Sequence, residues 1–199
     1  VDAYDTSLAR STPTALSVAR ESLAGASVGN YALFAGGYDG SYRNTVDAYN
    51  TSLTRSTPTA LSVGRYHLAG ASVGNYALFA GGYGSSTYRN TVDAYDTSLT
   101  RSTPTALSVA RRHLAGASVG DYALFAGGQI TPTSYSDTVN AYNTSLTRST
   151  PTTLSLARQY LAGASVGDYA LFAGGHGDGS YRNTVDAYDT SLARSTPTA

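Results

Sequence analysis

The side chains able to do chemistry are few, and their spacing limits what that chemistry can be. There are three histidines (His67, His113 and His176), one glutamate (Glu21) and no cysteine. Without cysteine there is no disulfide, no thiolate metal site and no cysteine nucleophile. His67 and His113 share a repeat position while His176 lies in a loop, and no third or fourth ligand accompanies the pair at metal spacing. Asp39-Gly-Ser and Asp178-Gly-Ser lack the succession of oxygen donors of a calcium loop and read as turns. A pair of catalytic carboxylates would have to come from aspartates that are repeat-phased or in loops. The chain is therefore expected not to be an enzyme and to hold no cofactor or metal.

Arginine is the charged type with a pattern. All 13 basic residues are arginine, against 13 acidic residues. Arg20, Arg65, Arg111 and Arg158 share one repeat position, Arg10, Arg55, Arg101, Arg148 and Arg194 a second, and Arg43, Arg89 and Arg182 a third; only Arg112 stands outside. Phased aspartates match them, so there is no basic stripe and nucleic acid is not an expected partner. The ring of Arg20, Arg65, Arg111 and Arg158 has two readings. It is an anion- or carboxylate-binding collar, since a guanidinium fork suits planar acids, or each arginine pairs with an aspartate or backbone carbonyl of the scaffold. On the first reading these four join the candidate binding residues.

What must position these groups is a repeat. A block of the type Arg65-Tyr-His-Leu-Ala-Gly-Ala-Ser-Val-Gly-Asn-Tyr-Ala-Leu-Phe-Ala-Gly-Gly82 begins at Arg20, Arg65, Arg111 and Arg158. A second block begins at Val1, Val46, Val92, Val139 and Val185, with spacings of 45, 46, 47 and 46 residues. No stretch carries apolar residues at helical period over a useful length. Leu68-Ala-Gly-Ala-Ser-Val73 reads as a strand of small residues, Gly74-Asn75 as a hairpin turn, and Tyr76-Ala-Leu-Phe-Ala80 as a strand apolar on both faces. Thr91 to Tyr95 reads as a third strand, and Thr100 to Leu107 as a fourth that Pro104 restricts to an edge. One four-stranded antiparallel meander cannot cover both its faces, but radial stacking can, with the Ala/Gly strand at the crowded axis. The fold class is all-β, a β-propeller.

Three signatures carry a resemblance: Arg-x-x-Leu-Ala-Gly-Ala from Arg65, Tyr76-Ala-Leu-Phe-Ala-Gly-Gly82, and Val92-Asp-Ala-Tyr-Asp96, in phased copies along nearly the whole chain. In these the chain resembles the kelch-repeat proteins. The resemblance implies four-stranded kelch-like blades, more often six or seven to a ring. The family's fourth-strand tryptophan is missing, its place falling near Arg55-Ser56, so leucines such as Leu53 and Leu61 are expected to fill the gap between blades. The one domain, 1–199, then divides into an outer half-blade, 1–15, and blades 16–61, 62–107, 108–154 and 155–199. Among propellers of nearest resemblance, the galactose-oxidase type needs a cysteine-linked tyrosine, which this chain cannot form.

Comparing the chain with itself locates candidate recognition positions. The scaffold barely changes between copies, whereas the pair after the phased arginine does: Glu21-Ser22, Tyr66-His67, Arg112-His113 and Gln159-Tyr160. So does the loop after each glycine pair, opening at Tyr38, Tyr83, Gln129 and His176. An antiparallel hairpin puts the start of its first strand beside the end of its second, so both sets should ring one mouth of the channel. Tyrosine, histidine, arginine and glutamine suit recognition of a protein or a carbohydrate. The expected function is a non-enzymatic, adhesin-like binding module, with a purely architectural or self-assembling scaffold as the alternative. An extracellular or surface location fits that reading.

No charged-then-apolar leader is present and no apolar run approaches a membrane span, so membrane insertion is not expected. The chain lacks methionine and starts and stops inside a repeat, which reads as part of a longer array. Residues 1–15 repeat 185–199 letter for letter. The N-terminal copy is thus expected to compete for the inner strands of 158–175, closing a ring in cis or linking two chains by exchange.

Overall fold

Alanine, glycine and serine decide how the sheets meet. In the computed structural model, which describes residues 1–197, four antiparallel sheets each hold four strands in sequence order. Blade 1 runs through Ala24–Val28, Tyr31–Ala35, Val46–Asn50 and Arg55–Ser56. Blade 2 runs through Ala69–Val73, Tyr76–Ala80, Val92–Asp96 and Arg101–Ser102. Blade 3 is formed by Ala115–Val119, Tyr122–Ala126, Val139–Asn143 and Arg148–Ser149. Blade 4 is formed by Ala162–Val166, Tyr169–Ala173, Val185–Asp189 and Arg194–Ser195. No helix among the described residues is long and apolar enough to cross a membrane.

The innermost strands of successive blades lie almost backbone to backbone. A methyl group on Gly70 would collide with the Gly25 carbonyl, one on Gly116 with that of Gly70, and one on Gly163 with that of Gly116. Serine stitches the same approach. Ser72 Oγ donates to the Ser27 carbonyl at 2.6 Å, Ser118 Oγ to that of Ser72 at 2.6 Å, and Ser165 Oγ to that of Ser118 at 2.7 Å. At the rim, Tyr95, Tyr142 and Tyr188 donate to the carbonyls of Thr59, Thr105 and Thr152 in the preceding blade.

Between blades the core is aliphatic with a T-shaped aromatic pair. Val28, Leu33, Val46 and Leu61 of blade 1 pack on Phe79 and Tyr95 of blade 2, and the arrangement repeats twice more. The leucine expectation divides. Leu61, Leu107 and Leu154 are buried in these interfaces, and Leu99, Leu146 and Leu192 pack against the preceding blade, but Leu53 is exposed because no inner strands precede blade 1.

Several boundaries differ from the sequence reading: the first strand begins one residue later, at Ala69, and the third runs from Val92 to Asp96. The fourth strand is two residues long, Arg101–Ser102 in blade 2, because Pro104 has no N–H to extend the ladder. The variable loops of blades 2 to 4 form small hairpins of their own, such as Tyr83–Gly84 with Thr87–Tyr88.

The two identical half-blades behave differently. Residues 185–189 pair along their length with Tyr169–Ala173. The N-terminal copy pairs only with itself, Ala3 with Ser11 and Tyr4 with Arg10. It sits where the outer half of a preceding blade would be, since Tyr49 donates to the Thr14 carbonyl in phase with the other rim tyrosines. Ala162–Val166 is exposed at every residue, whereas Ala69–Val73 and Ala115–Val119 alternate between buried and half-buried. The ring is an open arc.

Candidate functional site

After each phased arginine the chain must turn into the innermost strand, and it does so through a left-handed residue. Ser22, His67, His113 and Tyr160 have φ of 55°, 54°, 54° and 56°. Each N–H of this set after the first bonds to the carbonyl of the one before: His67 to Ser22, His113 to His67 and Tyr160 to His113, all at 3.0 Å. This backbone collar lines the mouth of the channel along the arc. Leu23, Leu68, Leu114 and Leu161 floor it, and the groove between has a volume of about 270 Å³.

The collar's rings follow one another in contact, joined at one end by Tyr66 and closest to parallel between His113 and Tyr160. Ring centroids lie 4.2 Å apart for Tyr66 and His67, 4.1 Å for His67 and His113, and 4.1 Å for His113 and Tyr160. Burial is the main force lowering both histidine pKa values; Arg112 adds to it, and for His113 so does His67. A hydrogen bond to Gln159 Oε1 at 3.1 Å only partly offsets this, and His113 falls to about 4. The two imidazoles are therefore neutral at pH 7.

A pH dependence follows. Unfolded imidazole titrates near 6.5, so between about pH 6.5 and 4 the unfolded chain binds more protons than the folded one. The contribution of His113 is present above that window and lost as pH falls through it, by on the order of 3 kcal/mol. Melting curves of the protein and of a His113→Gln variant should differ in slope between pH 7 and 4.5; parallel curves would contradict this assignment.

The first members of the variable pairs sit one step outward, joined to the loops. Glu21 bridges to Tyr38, Tyr66 to Tyr83, Arg112 to Gln129 and Gln159 to His176, with backbone bonds running both ways. The two variable sets thus share one rim. Over blades 1 and 2 it is aromatic: Tyr66 lies 5.3 Å from Tyr38, 5.8 Å from Tyr42 and 6.0 Å from Tyr83, centroid to centroid. The Arg112 guanidinium sits 4.8 Å from the centre of Tyr83 and donates through Nε to Gln129 Oε1 at 2.8 Å. Toward blade 4 the rim is open, with Tyr160 61% and Tyr181 91% exposed.

The four phased arginines are not part of this rim, which corrects their inclusion among the binding residues. The side chains of Arg20, Arg65 and Arg158 have no exposed surface and pair with Asp47, Asp93 and Asp186 at 2.9, 2.8 and 2.8 Å. Each also donates to a second-strand carbonyl, of Phe34, Phe79 or Phe172. A guanidinium so enclosed cannot meet a ligand. Burial pushes the Asp186 carboxyl up, but hydrogen bonds from Arg194, Arg158 and Ser155 outweigh it and leave the group below the usual carboxylate range.

Blade 3 breaks this pattern. Arg111 is as buried as its counterparts and its Nη2 likewise donates to a second-strand carbonyl, that of Phe125. The aspartate, however, is replaced by Asn140, whose Oδ1 accepts from Nη2 at 3.0 Å, and Nη1, which meets the carboxylate in Arg65 and Arg158, has no partner. Burial without a counter-charge lowers the Arg111 pKa to about 10. The signal was available in the chain as Val139-Asn-Ala-Tyr142 among copies that read Val-Asp-Ala-Tyr.

No protein-family model matches the chain, and no curated protein does. Among solved structures it is similar to one titled "Structure of YjhT", with a TM-score of 0.76 and 13% sequence identity over 98% of this chain and 74% of that one. At that identity the likeness is one of fold. The repeated four-stranded sheets about a common axis and this match together make the protein a β-propeller.

Proposed function

We propose that this kelch-like propeller is a non-enzymatic recognition module that takes a protein or carbohydrate ligand at its channel mouth. The observation that carries this reading is the joining of every variable pair to its variable loop by a backbone bridge, which gathers the two most variable sets of positions on one rim. The residues offered there are Glu21, Ser22, Tyr38, Tyr66, His67, Tyr83, Arg112, His113, Gln129, Gln159, Tyr160 and His176. A neutral stack beside an aromatic patch supports contact with flat apolar faces, and the flanking amide and guanidinium groups supply hydrogen bonds. Asp47, Asp93 and Asp186 are each held by a buried arginine, which removes the repeat-phased buried carboxylates from acid–base chemistry. An adhesin-like role at a cell surface fits a scaffold whose rim varies while its core does not. A scaffold without a ligand is the second reading, favoured by the exposed end blades.

The test is a glycan and cell-surface protein array. It compares the protein with a variant in which Tyr66, Arg112 and Gln159 become Glu and His67, His113 and Tyr160 become Ser. Ser22 already adopts the left-handed backbone required at the second position, so the variant should fold. Binding lost with an unchanged circular dichroism spectrum is the expected result. A ligand indifferent to the substitutions, or none at all, would shift the assignment to the scaffold.

A further inference from the structure

The two ends of the arc are the two halves of an interface that the chain already makes three times. We infer that the free face of blade 4 docks head to tail on the free face of blade 1 of a second copy of this chain.

Each series of contacts between blades stops one member short. Gly37, Gly82 and Gly128 donate their N–H to the carbonyls of Arg65, Arg111 and Arg158 in the next blade, but Gly175 makes no such bond and the Arg20 carbonyl receives none. The collar ends likewise, with the Tyr160 carbonyl and the Ser22 N–H unjoined. Gly29, Gly74 and Gly120 lie against Thr97, Thr144 and Thr190, while the space beside Gly167 is empty. A second copy offers Arg20, Ser22 and Thr51 in the phase these positions require.

The apolar surfaces agree. Val166 is 61% exposed, where the equivalent Val28, Val73 and Val119 are 3%, 3% and 2%. Ala32 is exposed and Phe34 half-buried, where Ala77 and Phe79 are fully covered. Such a contact is heterologous, so it closes if the rotation allows and otherwise continues as an open chain. Four blades follow about three quarters of the matched propeller. Two copies carry eight blades, so they close as one ring only if the angle between blades narrows to that of an eight-blade propeller, which lies within the range propellers adopt, and otherwise the contact continues as an open chain. In either form residues 1–15 give way to the blade 4 of the partner, since their only strand pairing is within the segment and they meet blade 1 through the Thr14 and Ala15 carbonyls, whereas the sequence-identical 185–189 pairs with an inner strand at five positions.

Gly25 provides a clean test. A methyl group there meets only the ordinary contact of Phe34 at 3.6 Å within one chain, but by phase it would strike the Gly163 carbonyl of a docked copy. Sedimentation velocity from nanomolar to high micromolar protein should show a two-chain species, joined by larger ones where the contact stays open, growing with concentration. Gly25→Ala and, separately, Val166→Asp should each remain at one-chain mass with an unchanged circular dichroism spectrum. An equimolar mixture of the two variants should give a two-chain species and nothing larger, because one competent junction remains. A one-chain mass for the unsubstituted protein at every concentration overturns the inference, as does association that Gly25→Ala leaves untouched.

Discussion

Asn140→Asp should stabilise the protein by about 3 kcal/mol, the scale on which removing one partner of a buried ion pair destabilises. In a chain of this length that corresponds to a melting temperature higher by roughly 6–10 °C. Blade 3 buries Arg111 with no carboxylate, and Arg148 on the outer side also lacks the aspartate that Arg101 and Arg194 have. An aspartate at 140 would face both cations at the volume of the amide it replaces, with Ser108 placed to donate as Ser62 does to Asp93. The sign with pH is fixed by the same logic. The new carboxyl would be held below its unfolded value, as that of Asp186 is, so the gain is present above about pH 4 and is lost as pH falls below it. Chemical denaturation at pH 7 and pH 3 measures both; equal stability of variant and parent at pH 7 contradicts the account.

Gly116→Ala should destabilise by about 3 kcal/mol or prevent folding, while Gly25→Ala should change the stability of the isolated chain by less than about 1 kcal/mol. The two glycines occupy the same repeat position and the same kind of strand. They differ in that Gly116 faces the Gly70 carbonyl across an interface, where only backbone movement could make room, and Gly25 faces none. Helical or strand propensity would predict equal effects, so urea titration of the pair separates crowding at the axis from intrinsic preference. Equal losses would mean that the inner strands are less closely set than described.

Much of the scaffold was legible because each side chain's role repeats. Tyr76-Ala-Leu-Phe-Ala80 is a strand with those bounds, and Gly74 turns the hairpin at a φ of 49°. What escaped was set by single atoms. The loop hairpin of blade 2 turns on Ser85 and Ser86 at φ of 48° and 61°, a left-handed pair that serine seldom supplies, so no turn signal stood out there, whereas that of blade 4 turns on Asp178-Gly179, which the sequence did mark as a turn. The phased arginines look alike as cation collar and as buried brace until the second-strand carbonyls are seen to receive them. The mouth residues were found because variation singled them out. Their left-handed backbone was not, since histidine and tyrosine give no cue to it.

The serine stitches have a consequence for how the molecule comes apart. Each spans a single repeat, joining Ser27 to Ser72, Ser72 to Ser118 and Ser118 to Ser165. Blades are thus coupled only to their neighbours, and opening proceeds from an end as a zipper does, one unit at a time. Amide protons of Ala69–Val73 and Ala115–Val119 lie two units deep and exchange slowest, and those of Ala162–Val166, with one face bare, exchange first.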